Sequence, residues 1–436
     1  MPFIGDQGWF YLSARDMLLT GNIPLVGITS SHTWLHQGPL WTYMLAGALF
    51  ISNFHPVSGA ILTSLIGLGT ILLIYRIGSE FFSKNLGLIA ALLYATSPLV
   101  IIHARMPYHT SPVPFFASLL IYSLIKTIKG NSNWFPIAVL SISLLYNFEL
   151  ATVVFIPVVL FFLIIGYVRK EKWFIKILTK KNILLSVFAL LMPMIPIVVY
   201  DFGHGFPQTL KFGAWFIYKG FQLIGIIEKP ATEPFFEIVK FFMNKVSMLI
   251  FAPNHFISVG VLAAALFVPA VSAWKKKSLF SPLTVIFTFT TIGIIGFFAA
   301  NAKSEAYLPM LFPGITLLVT FAIYSLFINK TYAMLVITAI SAINLMFIVQ
   351  NNYLIGRSPG YGPSLTMRIN GVEKILKQVG VKKYNIEGKG PGSEFESFTM
   401  NYEYLLWWKG NPPSHELQNL IFVIEEKQSQ INARIK

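Results

Sequence analysis

Only three of the 436 residues are aspartate: Asp6, Asp16 and Asp201. Each stands beside a long apolar run, and the short polar segments between such runs also concentrate His32, His36, His103, His109 and His204. Polar groups gathered beside apolar walls suit proton transfer, because desolvation raises the basicity of a carboxylate. Asp6 lies in Gly5-Asp6-Gln7-Gly8-Trp9-Phe10-Tyr11, followed by Arg15, Asp16, Met17, Leu18 and Gly21-Asn22. Periodicity turns Trp9, Leu12, Met17 and Leu18 toward membrane or protein, and Gly21 ends the helix. Asp6 therefore either caps this helix, as aspartate commonly does, or serves as a general base at a water-poor surface. Glu149 interrupts the apolar stretch 134–168, where a carboxylate is costly and is by default a functional suspect. It either lines a cavity or marks a break between two short helices. Arg105 and Lys303 close apolar runs, where basic side chains often snorkel to headgroups.

The elements that must hold these groups follow from composition. Hydrophobic residues make up 55%, aromatic residues 15% and charged residues 12% of the chain, with a mean hydropathy of +0.65. That excludes a soluble enzyme and intrinsic disorder, and specifies an all-α polytopic membrane protein. The absence of cysteine excludes a disulfide scaffold, thiolate metal sites and a cysteine nucleophile. The formal charge of +15 sits in clusters between apolar runs, the pattern of cytoplasmic loops and not of a nucleic-acid footprint, so no nucleic-acid partner is expected.

Apolar runs of about 20 residues, the length a bilayer requires, predict ten spans at 57–77, 86–103, 112–128, 134–150, 151–168, 182–200, 248–272, 282–300, 306–326 and 331–349. The run 39–52 is too short and reads as an interfacial helix. Fourteen basic residues fall in alternate loops, from Arg76 to Lys330, which the positive-inside rule assigns to the cytoplasm. Residues 1–56 then form an extracytoplasmic first loop with interfacial helices, 57–349 the transmembrane domain, and 350–436 an extracytoplasmic tail. In the tail, 366–379 reads as a helix, Tyr384–Ile386 and Leu420–Glu425 as strands, and Phe395–Trp408 as an aromatic helix. This is a small α/β module. Because the chain opens directly into an outside segment, an upstream membrane helix is expected before Met1.

The run from Asp6 through Tyr11 and Arg15-Asp16-Met17 to Gly21-Asn22 resembles the first outer loop of family 39-like membrane glycosyltransferases. These are the GT-C enzymes that include protein O-mannosyltransferases and lipid A aminoarabinose transferases. Three further stretches extend the resemblance over residues 1–330: His36-Gln37-Gly38-Pro39-Leu40-Trp41, Tyr75-Arg76 with Phe81-Phe82, and His103-Ala104-Arg105. Lys303-Ser304-Glu305-Ala306-Tyr307-Leu308-Pro309 with Pro313 completes it. The chain departs from the family at Gln7, often Glu there, and at Gly38, often Pro. In the loop after Arg105, Met106-Pro107-Tyr108-His109-Thr110-Ser111 lacks the family's second Asp. No metal or other cofactor is therefore expected, and His109 occupies the vacant position or is simply a hydrogen-bonded loop histidine.

The resemblance implies a GT-C-like fold and inverting glycosyl transfer from a polyprenyl-phosphate sugar at the outer membrane face. It assigns Asp6 as base, Arg105 and Lys303 as partners of the donor phosphate with Tyr307 nearby, and Tyr11, His36, His109 and Glu149 as a sugar or acceptor pocket. Donor and membrane lipid are the expected partners, together with a glycan, lipid or protein acceptor. The Lys- and Ile-rich, cysteine-free composition fits a bacterial plasma membrane. Two other classes remain: a transporter or flippase for a lipid-linked sugar, and a non-catalytic assembly subunit.

Overall fold

The computed structural model describes residues 1–29, 34–227, 234–276, 279–354, 362–380, 382–427 and 430–435, so His32 lies outside the described residues. The chain opens with α1 (Gly5–Thr20) and the short α2 (Leu40–Ile51), then enters the long α3 (Ser58–Phe81). Next come α4 (Lys84–Ala95), α5 (Pro98–Ala104), α6 (Val113–Ile128) and α7 (Phe135–Phe148). A 3-10 turn, Leu150–Val154, leads into α8 (Phe155–Val168), followed by α9 (Lys172–Ile177), α10 (Lys180–Leu191), α11 (Ile195–His204) and α12 (Pro207–Leu223). The bundle closes with α13 (Phe235–Ile250), α14 (His255–Lys276), α15 (Pro282–Ala300), α16 (Phe312–Leu326) and α17 (Lys330–Gln350).

Local chemistry sets many of these starts. Ser83, Ser97, Thr179, Ser281 and Asn329 each accept a backbone N–H of the first turn through the side chain, and Pro98 and Pro282 follow two of them at the position where no N–H is needed. Asp201 plays a similar part for α12. Its buried carboxylate accepts the N–H groups of Gln208 (2.7 Å) and Thr209 (2.9 Å) and the Thr209 hydroxyl (2.5 Å). This carboxylate is a helix cap.

Six stretches are long and apolar enough to cross a membrane unbroken: Ser58–Phe81, Leu150–Val168, Lys180–His204, Pro282–Ala300, Glu305–Leu326 and Lys330–Gln350. Two more are bent pairs, α4 with α5 at 67° and α13 with α14 at 86°. The runs at 112–128 and 134–150 are helices of only 16 and 14 residues. At ~1.5 Å per residue these are shorter than a ~30 Å hydrocarbon core. Ten continuous spans thus resolve, among the described residues, into six continuous ones, two broken ones and two short helices. Ser97-Pro98 breaks the first pair, and Glu149 ends α7 in extended backbone.

The sharper bend is made tolerable by Asn344 of α17, which is fully buried. Its amide donates to the Ile250 carbonyl (3.0 Å) and its oxygen accepts from the Ala252 N–H (3.1 Å). Those are the backbone groups a break would otherwise leave unsatisfied away from water.

Glu305–Leu326 is the central span, with 83% of its apolar window inside the protein against 17% for Lys180–His204. Leu184 and Phe188 on α10 and Leu335 and Met346 on α17 face outward, an apolar surface that only lipid can cover. This is an integral membrane protein. At one end of the bundle Lys126 donates to Glu80 (2.6 Å) and Lys330 to the Tyr324 carbonyl (2.8 Å), gathering loops of the basic set. The polar loops of the other set meet at the opposite end.

There the last part of the chain forms α18 (Leu365–Val379), strand β1 (Asn385–Lys389), a 3-10 turn Glu396–Thr399 and α19 (Met400–Trp408). Strands β2 (Ile421–Lys427) and β3 (Gln430–Ile435) complete a sheet of order β1-β2-β3, parallel then antiparallel. The helices and the first two strands match the sequence expectation within a few residues. Strand β3 was not expected, because Gln430-Ile431-Asn432-Ala433-Arg434-Ile435 alternates only weakly. Inside the module, buried Arg368 meets both oxygens of Glu426 at 2.8 Å, and the Tyr402 hydroxyl donates to the same carboxylate (2.7 Å).

Candidate active site

The first turn of α1 gives two polar neighbours, Asp6 and Gln7, different partners. Gln7 is fully buried and accepts the Ile4 N–H through Oε1 (3.1 Å), so the free N–H at the helix start is satisfied by Gln7. Asp6, partly exposed, instead meets two side-chain hydroxyls. Tyr108 donates to Oδ2 (3.1 Å) and Ser397 donates to Oδ1 (2.8 Å). Asp6 thus stands inside the first turn, after the cap position Ile4, and its carboxylate meets hydroxyls of other elements.

Tyr108 sits in a tight loop between α5 and α6. Its N–H donates to the Met106 carbonyl (2.8 Å), the Ser111 hydroxyl donates to the same carbonyl (2.7 Å), and the Ser111 N–H donates back to the Tyr108 carbonyl (2.9 Å). Its ring packs edge-on to Phe10 (5.5 Å) and against His109 (4.4 Å). Burial first, then the charges of Asp6, Glu149 and Glu305, push its hydroxyl well above the ordinary tyrosine value. It therefore remains a donor to Asp6.

His109 and Glu149 form a buried pair, Nε2 to Oε2 at 3.2 Å. The other Glu149 oxygen accepts the Ala151 N–H (3.1 Å), capping the 3-10 turn that follows α7. Glu149 thus marks the break between two helices. Gly38 packs on that same break. Its N–H donates to the Asn147 carbonyl (3.1 Å), and a Cβ at Gly38 would lie 1.9 Å from the Asn147 side-chain oxygen. Proline at this position would supply the clash and lose the bond.

Glu305 opens a short 3-10 turn, Glu305–Tyr307, and ties two further elements to it. It accepts from His103 Nε2 of α5 (2.9 Å) and from Lys245 Nζ of α13 (2.5 Å). Lys303, exposed, and half-buried Tyr307 flank this carboxylate in the chain. Arg105 follows α5 and donates to the carbonyls of Tyr353 (2.7 Å) and Leu354 (2.8 Å), holding the turn that follows α17.

Two further residues expected at the pocket have partners on other elements. Tyr11 is fully buried, accepting the Gly59 N–H (3.0 Å) and donating to the Pro56 carbonyl (2.8 Å). With both hydroxyl roles filled inside the protein, it ties α1 to α3 and offers nothing to a pocket. His36 lies against α12, its N–H donating to Gln208 (3.3 Å), and burial together with Lys211 holds its imidazole below the ordinary value. Asp6, His109 and Glu149 are brought together. Tyr108, Ser397, Lys245 and Glu305 join the site without having been assigned to it from sequence. Among the described residues, no three His, Asp or Glu side chains are grouped so as to hold a metal ion.

The fold has solved counterparts. The oligosaccharyltransferase of Archaeoglobus fulgidus, solved with zinc and sulfate, matches with a TM-score of 0.55 at 16% identity over 92% of this chain and 58% of that one. AglB from the same archaeon, in complex with an inhibitory peptide and a dolichol-phosphate, matches at 0.57 and 14% over 92% and 60%. ArnT from Cupriavidus metallidurans, bound to undecaprenyl phosphate, matches at 0.56 and 14% over 92% and 71%. This chain shares their GT-C fold. Residues 36–199 also match the family described as dolichyl-phosphate-mannose-protein mannosyltransferase. No curated protein sequence matches. The chain spans about three fifths of the length of the archaeal proteins it resembles. The matched family segment carries Arg105, His109 and Glu149, whereas Asp6, Glu305 and Ser397 reach the site from outside it.

Proposed function

We propose that this chain is an inverting glycosyltransferase that moves a sugar from a polyprenyl-phosphate donor to an acceptor at the extracytoplasmic face of a bacterial plasma membrane. The observation that carries this reading is the Asp6 carboxylate, placed inside the first turn of its helix and oriented by two hydroxyls at the polar end of a GT-C bundle. The donor class rests on the lipid phosphates bound by AglB and ArnT. The face rests on the distribution of basic loops.

A lipid phosphate is a good leaving group and needs no general acid. The acceptor oxygen attacks the anomeric carbon as the bond to the phosphate oxygen breaks, and the electron pair departs with the phosphate. The acceptor proton passes to Asp6. One in-line displacement of this kind inverts the anomeric centre. Arg105 and Lys303 offset the charge of the departing phosphate, with Tyr307 beside them. A guanidinium has five N–H donors, so the two directed at carbonyls leave Arg105 able to meet an anion. His109 and Glu149 border the sugar or acceptor, with His36 nearer α12. In this reading residues 57–349 are the membrane domain, and 1–56 and 350–436 cover its outer end.

The test is release of polyprenyl phosphate in proteoliposomes supplied with radiolabelled polyprenyl-phosphate sugars. Wild-type protein should release it, and Asp6→Asn should lower turnover about a hundredfold or more, the range of a lost general base. Donor that crosses the bilayer intact would favour a transporter. Neither release nor movement across a panel of sugars would favour an assembly subunit.

A further inference from the structure

The residue that holds Oδ1 of Asp6 is 391 positions away in sequence, in the C-terminal module. Several contacts fix it there. A Cβ on Gly5 would lie 2.1 Å from the Ser397 carbonyl oxygen, and one on Gly8 would lie 2.1 Å from the Asn401 backbone nitrogen. The two glycines, one helical turn apart, let the backbone of the turn Glu396–Thr399 and of α19 lie directly on α1. Asn401, itself buried, donates to the Phe3 carbonyl (2.8 Å), and the Tyr404 hydroxyl donates to the Phe54 carbonyl (2.7 Å). On its other side the turn is held by Phe398, whose ring lies 2.3 Å from where a Cβ on Gly388 of β1 would be. Ser397 is thus presented to Asp6 by a wedged backbone.

We propose that Ser397 is a positioning residue for the transfer reaction, supplied by the C-terminal module to the carboxylate on α1. The inference rests on the reading of Asp6 as base. A carboxylate has about four lone-pair sites. Ser397 and Tyr108 take one on each oxygen, which fixes the plane of the group and directs the remaining lone pairs toward the acceptor proton. The module on this view does more than cover the site: it completes it. Orientation of a reacting group to within an ångström is worth large factors in rate.

The experiment compares full-length wild type, Ser397→Ala, Ser397→Thr, Thr399→Ala and Asp6→Asn in the same proteoliposome assay, reading kcat and the donor KM. Thr399 donates to Glu403 on the same turn and helix without touching Asp6, so Thr399→Ala should behave as wild type. Ser397→Ala should lower kcat about ten- to a hundredfold with the donor KM unchanged, as expected for a lost hydrogen bond to a charged group. Ser397→Thr, which keeps the hydroxyl, should recover most of that loss. Wild-type kcat in Ser397→Ala, while Asp6→Asn is inactive, would overturn the proposal and leave the base reading standing. So would a loss confined to KM, or one matched by a fall in melting temperature that threonine does not repair. Wild-type turnover in Asp6→Asn would instead remove the base reading itself.

Discussion

Tyr108 and Ser397 meet the two oxygens of one carboxylate, yet they come from unlike surroundings. Tyr108 is half-buried, packed against Phe10 and His109, and its raised pKa keeps the proton on the phenol that donates to Asp6. Tyr108→Phe keeps the ring contacts and removes the donor. We expect kcat to fall about tenfold with melting temperature nearly unchanged, checked by labelled-donor turnover and thermal unfolding in detergent. Rarity made part of this site readable: Asp6 is one of three aspartates and Glu149 breaks an apolar stretch, so both drew attention without any structure. Ser397 offered no such signal, because a serine in a polar loop is ordinary and its partner is nearly the whole chain away. Lys245 was hidden for another reason: it lies in a long segment whose lysines say little about sidedness. Tyr11 misled, since an aromatic hydroxyl near a candidate base is equally suited to tying two helices.

Among the elements, α1 and α19 carry the most consequence for the site. Their approach depends on the absence of side chains at Gly5 and Gly8, where the obstructing atoms are backbone and have no rotamer to change. Gly8→Ala should therefore push α19 from α1 and destabilise the module by about 1–3 kcal/mol. Turnover should fall with it, and limited proteolysis of the tail should report the displacement. Among the described residues hydropathy located the six unbroken spans, since burial in lipid demands long apolar runs, but it missed α13, most of which precedes the predicted run 248–272. It could not foresee where a run bends, because the breaks at Ser97-Pro98 and after Ile250 depend on partners elsewhere, such as Asn344. The third strand escaped for a similar reason. Its stability comes from pairing with β2 more than from its own pattern.

At the scale of the whole molecule, the polar end of the bundle is unusually rich in buried phenols outside the membrane spans. Tyr11, Tyr108, Tyr384, Tyr402 and Tyr404 all have pKa values raised by burial. A raised folded-state pKa means that the native protein keeps protons the unfolded chain gives up once pH passes the ordinary tyrosine value of 10.0. Stability from this source is complete below about pH 10 and declines as pH climbs toward the folded values. Melting temperature in detergent should accordingly vary little from these groups between pH 7 and 9 and drop from about pH 10. A flat profile through pH 11 would contradict it.

The pairing of Asp6 with Ser397 also has a temporal side. Translation at about 5–20 residues per second delivers the two partners many seconds apart, and the membrane helices between them are made in that interval. A nascent chain with the helices between them inserted would still lack the turn that meets α1. The contact of Ser397 with Asp6 can form only after those helices, when the α19 backbone settles against Gly5 and Gly8.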